Sequence, residues 1–451
     1  MATFDKKAPG VYVEEISKLP PSVASVATAI PGFVGYTERG TKNTAIRVES
    51  LIDFEEKFGY ACKIAISEED KINGLEYKLH ESMRLFYANG GGICYVVSVG
   101  NYTDAISNTA LETGISMLEP IDEVTMIVVP DAVSLEIKDL ASVQNAALAQ
   151  CLELKDRVAI LDVKDTGNCN TDATNFRNSI GTKGASYGAA YYPYIKSVYD
   201  REINVYDIYK GLELSNQELE NAQYYAELSE PTEESTLFAK QLMSKPEYAK
   251  LVAKIQEQAN LLPPSGAIAG IYCANDNQRG VWHAPANMSV SGISDINVRI
   301  SAKQQGELNE NTSGKCINAI RAFQGKGILV WGARTLDGLS SEWKYISVRR
   351  FFNYVEESIQ ESTAWAVFQP NDANTWVKVR CQIENFLSNL WRDGALAGST
   401  PQEAFYVRVG INQTMTAQDI LNGYMIVEIG MAAVRPAEFI VLQFSHKLQE
   451  S

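Results

Sequence analysis

The chain has 451 residues, 45% of them hydrophobic and 21% charged; this suits a folded protein of two or three domains, since one core rarely grows past about 250–300 residues, and it excludes global disorder. The formal net charge is −15 and the isoelectric point is near 4.9, a balance that repels phosphate backbones and anionic lipid and excludes nucleic acid as a natural partner. The same charge serves solubility in general and colloidal stability at high copy number, and net charge does not separate the two.

The N-terminus, MATFDKKAPG, has no apolar core of a secretory leader, so synthesis in a cytoplasm without a signal peptide is expected. Residues 1–20 read as an arm. Pro9-Gly10 punctuates, Val11, Tyr12, Val13 and Glu14 have strand composition, and Pro20-Pro21 stops the strand. A lone strand of this kind must pair with something distant, in the same chain or in a neighbour.

Residues 74–163 alternate between helix and strand. Leu75, Leu79, Met83 and Phe86 fall at helical spacing before Gly90-Gly91-Gly92, and Ile93–Val97 reads as a buried strand. The runs Met126–Val129 and Val158–Leu161 flank a helical pattern over 138–154, giving the rhythm of a layered α/β domain. From Gly211 to Ala239 there are seven glutamates and no lysine or arginine, and Pro231 breaks the segment; residues 200–262 therefore read as an outward-facing helical insertion. Residues 263–295, rich in Pro, Gly and Asn, read as an ordered, packed loop region with short strands.

The last part of the chain is more regular. Ile328–Trp331 has strand composition. Val348, Phe351, Phe352, Val355 and Ile359 share one face of a helix over 344–362. A second helix over 376–391 buries Trp376, Val379, Ile383, Phe386, Leu387 and Leu390, and leaves Lys378, Arg380 and Arg392 off the apolar stripe. Strands are expected at 404–407, 424–429 and 438–444, the last an apolar run that is either central or a sticky edge.

No phosphate-binding loop occurs: Gly314-Lys315 and Gly325-Lys326 both lack the earlier glycine. The seven cysteines (62, 94, 151, 169, 273, 316 and 381) are irregularly spaced and contain no C-x-x-C, so buried reduced thiols are expected rather than a disulfide or zinc framework. The three histidines, His80, His283 and His446, have no partner at helical spacing. Gly184-Ala185-Ser186-Tyr187-Gly188 fits the nucleophile-elbow pattern, but polar, turn-like residues precede it and an extended segment follows, the reverse of a strand-to-helix elbow.

Several segments resemble contractile tail sheath proteins: PGVYVEE (9–15), IPGFVGYTERG (30–40), GGGICYVVSVG (90–100), AAYYPYI (189–195), PPSGAIAGIYCANDNQRGVWHAPAN (263–287), GILVWGARTL (327–336), WKYISVRRFFNYVEESI (343–359), FQPND (368–372), FLSNLWRDGALAG (386–398) and VRPAEFIVLQF (434–444). They stand in the family's order and are densest after residue 260. The chain departs from the family at ELNENTSGKCINAIR (307–321) and VRVGINQTM (407–415), and 200–262 has no counterpart.

The resemblance implies a mixed α/β, multidomain fold: an inner α/β sheath domain built from both termini, and an inserted outer α/β domain with the helical insertion. The expected division is an arm at 1–20, an outer and middle region at 21–314, and a sheath domain at 315–451 ending in a second arm strand. It implies a structural subunit and not an enzyme, with no cofactor and no metal. Such subunits polymerise as hexameric rings in a helical stack around an inner tube, in a metastable state, and contract to drive the tube through a target envelope. The partners implied are other copies and sheath paralogues, an inner tube protein, and baseplate and tail-terminator proteins, with no nucleic acid and no direct membrane insertion. The place implied is the bacterial cytoplasm first, then a phage tail or a phage-tail-like particle. The candidate inter-subunit arms are Val11, Tyr12, Val13 and Glu14 with Phe439, Ile440, Val441, Leu442 and Phe444; the candidate tube-facing residues are Lys378, Arg380 and Arg392. The alternatives are another tail or baseplate assembly protein, or a serine hydrolase using Ser186.

Overall fold

A computed structural model describes residues 23–67, 71–228, 230–310 and 312–439. They form two compact units, one of residues 26–357 with 433–439, the other of 23–25 with 358–432. The expected division at 314/315 falls elsewhere because the chain after 315 returns to the sheet of the larger unit.

The larger unit is built from β1 (Pro31–Tyr36), β2 (Ala45–Val48), α1 (Leu51–Phe58), α2 (Leu79–Ala88), β3 (Cys94–Gly100), α3 (Asn108–Ser116), β4 (Met126–Val128), α4 (Ile137–Leu154), β5 (Val158–Asp162), α5 (Cys169–Ser179) and β6 (Gly188–Tyr192). An insertion follows with α6 (Asn216–Ala226), α7 (Glu233–Met243) and α8 (Pro246–Ala259). Then come α9 (Ser265–Arg279), β7 (Met288–Ser289), α10 (Ala302–Asn309), β8 (Ile317–Phe323), β9 (Gly327–Val330) and the first turns of α11 (Ile346–Thr363).

These strands make one nine-stranded sheet in the order β7-β9-β8-β6-β5-β4-β1-β3-β2. The stretch from β3 to β8 is parallel, and β2, β9 and β7 are antiparallel at the two ends. Neighbouring residues on each strand point to opposite faces. Val34, Val97, Ile127, Ala159 and Ala190 enter one core with α3, α4 and α5. Phe33, Val96, Val128, Ile160 and Ala189 enter another with α1, α2 and α9. Burial on both faces is why these strands read as unbroken apolar runs.

Two expectations need correction here. The segment 263–295 is not chiefly loop, because Ser265–Arg279 is a helix with every residue from Ser265 to Cys273 buried. Its glycines serve close packing rather than turning: a Cβ on Gly266 would stand 2.5 Å from the Ser82 carbonyl oxygen, and one on Gly270 would stand 2.4 Å from that of Phe86. The backbones of α9 and α2 therefore meet directly. Leu75 does not belong to α2, which starts at Leu79.

The insertion has a small core of its own around Val205, Phe238 and Leu242, and Ile208 and Ile255 share a second one with Ile64 and Ile66 of the preceding region. Capping boxes at Ser215/Glu218 and Thr232/Ser235 start α6 and α7 on either side of Pro231.

In the smaller unit, α12 (Ala373–Arg392) starts at Asp372, whose side chain accepts from the Thr375 N–H. It buries Val379, Ile383, Phe386, Leu387 and Leu390. The strands β10 (Phe405–Val409) and β11 (Val427–Met431) form an antiparallel hairpin, with Val407 and Val409 buried. The expected strand at 424–429 therefore begins three residues later and ends two later. Residues 434–439 carry no strand, and 440–444 lie outside the described residues.

Candidate assembly surfaces

In an open parallel sheet a ligand binds beyond the carboxyl ends of the strands, where the strand order reverses. Here that place lies between β1 and β4, and the chain's own charges fill it. The Asp131 carboxylate accepts the Tyr36 N–H at 2.7 Å and the Lys78 N–H at 2.5 Å. Glu81 pairs with Arg201 at 2.5 Å, both almost fully buried. Arg201 also donates to the carbonyls of Gly74 and Tyr77, and the Lys78 ammonium donates to the Leu261 carbonyl. Burial pushes the Asp131 carboxyl up to about 7, against the pull of its N–H donors. Burial and the neighbouring Arg201 push Lys78 down to about 8.

Ser186 lies in the single turn Ala185–Tyr187 that leads into β6. The strand-to-helix context that a nucleophile elbow requires is not present. His80, on α2, sits beside Glu55 at 3.2 Å, and no hydrogen bond joins it to Ser186 among the described residues. Among the described residues no group of three His, Cys, Asp or Glu is placed to hold a metal ion, and no helix is long and apolar enough to cross a membrane.

The surfaces with unmet bonding capacity are of another kind. The β10–β11 hairpin is a two-stranded sheet, so among the described residues both of its outer edges are unpaired. Its outward face is polar and ordered. The Tyr406 hydroxyl donates to Glu428 at 2.8 Å, and the Arg408 guanidinium lies 4.6 Å from the Tyr406 ring centre. The Tyr406 ring covers Gly430, where a Cβ would stand 2.2 Å from a ring carbon. The inward face packs toward α12. An exposed edge of this sort, backed by a core, is the kind of surface to which another strand can add.

On α12, Lys378 and Arg392 are exposed and Arg380 is half-buried. Arg380 lies 3.8 Å from Glu384, and Arg392 donates weakly to Asn389 at 3.4 Å. The three lie on one helix, and Arg380 spends part of its charge within it. Beyond them, Phe368 is fully exposed at a φ of 64°, a left-handed conformation that a phenylalanine rarely adopts. Asn371 in the same loop donates to the Tyr424 carbonyl at 2.9 Å, bringing this loop beside the exposed Tyr424.

Of the arm residues, Val11, Tyr12, Val13, Glu14, Ile440, Val441, Leu442 and Phe444 lie outside the described residues. Phe439 is described and exposed. Next to it stands Glu438, which sequence reasoning did not single out; its one signal was a carboxylate at the head of an apolar run.

Two family profiles match the chain. The phage tail sheath protein central domain matches residues 104–336, and the phage tail sheath C-terminal domain matches residues 340–447. A solved sheath complex of the PVC extracellular contractile injection system, in its contracted state, is 31% identical with a TM-score of 0.69, covering 99% of each chain. A chain of the six-fold symmetrised baseplate of the anti-feeding prophage is 30% identical with a TM-score of 0.65, covering 98% of this chain and 99% of that one. The tail sheath protein of Vibrio phage KVP40 is 23% identical over 192 residues, 42% of this chain and 27% of that protein. The chain thus spans about a quarter of that relative's own length.

Proposed function

Because this chain belongs to the phage tail sheath family, we propose that it is a structural subunit that polymerises as hexameric rings stacked around an inner tube and contracts to drive the tube through a target envelope. The observation that carries this reading is the β10–β11 hairpin, which packs on its core side and, among the described residues, has no third strand at either edge. Two edges can take two strands, and the chain supplies two candidates, Val11–Glu14 and Phe439–Phe444. Strands exchanged between copies hold them together through backbone hydrogen bonds, which survive rotation of the bodies they join. The filled crevice at the strand-order reversal agrees with a subunit that stores energy on assembly rather than drawing it from a bound nucleotide. Baseplate and tail-terminator proteins are the further partners in this reading. Lys378, Arg380 and Arg392 are its tube-facing candidates. The particle is a phage tail or a phage-tail-like device assembled from cytoplasmic subunits.

Negative-stain microscopy of the purified protein, concentrated alone and co-expressed with the products of neighbouring genes, tests this. Hollow, striated cylinders wider than a bare tube are expected. A monodisperse monomer under both conditions would sink the mechanical role.

A further inference from the structure

Where α1 meets α2, a histidine is sealed into the contact. His80 is the second residue of α2 and is 6% exposed. Its Nε2 lies 3.2 Å from the Glu55 carboxylate on α1, and its ring centre lies 5.9 Å from that of Phe54. The other ring nitrogen, Nδ1, is buried and has no hydrogen-bond partner among the described residues. The neutral ring suits this place, because Nε2–H can donate to Glu55 while Nδ1 keeps a bare lone pair. A second proton would put an N–H where nothing accepts it, and a buried donor without an acceptor is costly, more so when charged.

Burial holds the imidazole below its ordinary 6.5, against the pull of Glu81 on its own helix and of Glu55 across the contact; Arg84 pushes the same way as burial. Glu81 is itself paired with Arg201. The other elements against α2 bring no free charge to the ring. Asp131 spends its carboxylate on the Lys78 N–H at the start of the helix. β1 and the buried stretch Ser265–Cys273 of α9 carry no residue that is charged at neutral pH. On the other side of the contact, α1 is eight residues long and buries Phe54 and Phe58. Its backbone is tied to Arg39, whose N–H donates to the Phe58 carbonyl and whose guanidinium donates to the Glu55 carbonyl, both at 3.0 Å. Neither bond involves the histidine.

We propose that His80 is an acid-sensitive catch: protonation of its imidazole lets α1 open from α2 while the nine-stranded sheet stays folded. The catch lies wholly within the larger unit and works in the monomer, whatever the chain assembles into. Opening α1 bares the ring to water, where it takes up a proton near pH 6.5, whereas the closed contact takes one only at lower pH. The open form thus binds more protons. The closed contact is at full strength above about pH 6.5 and weakens as pH falls below it. Asp131 and Asp162, whose carboxyls burial pushes up to about 7, shift stability in the opposite sense over the acid range, so the decisive comparison is between proteins and not between pH values alone.

The full chain and its His80→Gln variant are compared at pH 7.5 and 5.5 by amide hydrogen exchange, corrected for the pH dependence of exchange itself. One pH unit below 6.5, a bared imidazole raises the open population by about three- to tenfold. Exchange over residues 51–58 of the wild type is expected to quicken by that factor, with residues 94–100 of β3 unchanged. His80→Gln keeps a donor for Glu55 and cannot titrate, so it is expected to show no such acceleration. Equal acid acceleration in both proteins would overturn the proposal, and so would a wild type whose 51–58 segment exchanges alike at the two pH values. A second measurement decides the matter if His80→Gln does not fold: with His283 and His446 replaced by Gln, the one remaining imidazole is titrated by NMR. A midpoint below 6.5 is expected, and one at or above 6.5 would overturn the proposal.

Discussion

Phe368 is held in the left-handed region at φ 64° and touches nothing that would repay it. That conformation costs an L-residue about 1–2 kcal/mol, and glycine adopts it freely. Phe368→Gly is therefore expected to leave the smaller unit as stable or to stabilise it by up to about 1 kcal/mol in chemical denaturation, the gain being trimmed by the floppier unfolded chain. A loss of more than about 1 kcal/mol would mean that the ring packs in the folded unit after all. If the ring is a contact made only between copies, the same substitution reduces cylinder yield while raising or sparing stability. At this scale the sequence was partly legible. Lys378, Arg380 and Arg392 fell off the α12 stripe as their spacing indicated, but no periodicity announces a strained loop residue or pairs Glu438 with Arg334 across 104 positions.

Between elements, the contact that matters most is the one the sequence disguised. Ser265-Gly266-Ala267-Ile268-Ala269-Gly270 belongs to the stretch 263–295, whose Pro, Gly and Asn content reads as packed loop. Buried all round, it shows no amphipathic stripe to reveal its period. The small residues exist to let α9 lie against α2. Gly270→Ala would press a methyl group to 2.4 Å from the Phe86 carbonyl oxygen, which is backbone and cannot swing aside. The expected loss is about 2 kcal/mol or more in the larger unit, read by thermal or chemical unfolding. An unchanged midpoint would show that the two helices can part cheaply. The exposed hairpin strands and the amphipathic α11 and α12 were legible for the opposite reason: one face of each is wet, so their periods survive in the sequence.

For the whole molecule, the proposed function predicts that assembly and folding are separable. Among the described residues the buried members of the two cores all lie after Ala29, and residues 1–20 are proposed to be an arm. A chain shortened by these 20 residues is expected to fold and melt like the full one and to form no cylinders; cylinders of normal length would refute the strand exchange. The layered α/β class was legible from the rhythm of 74–163, and the return of β8 and β9 to the same sheet was not, because pairing between Ile317 and Ala190 leaves no local mark. The cluster of Asp131, Lys78, Glu81 and Arg201 has one further consequence. It occupies the seam where sheets of this kind usually bind a guest. If the chain is a sheath subunit, a seam closed by its own buried ion pair leaves no room for a guest, and the larger unit is expected to move as one block during contraction.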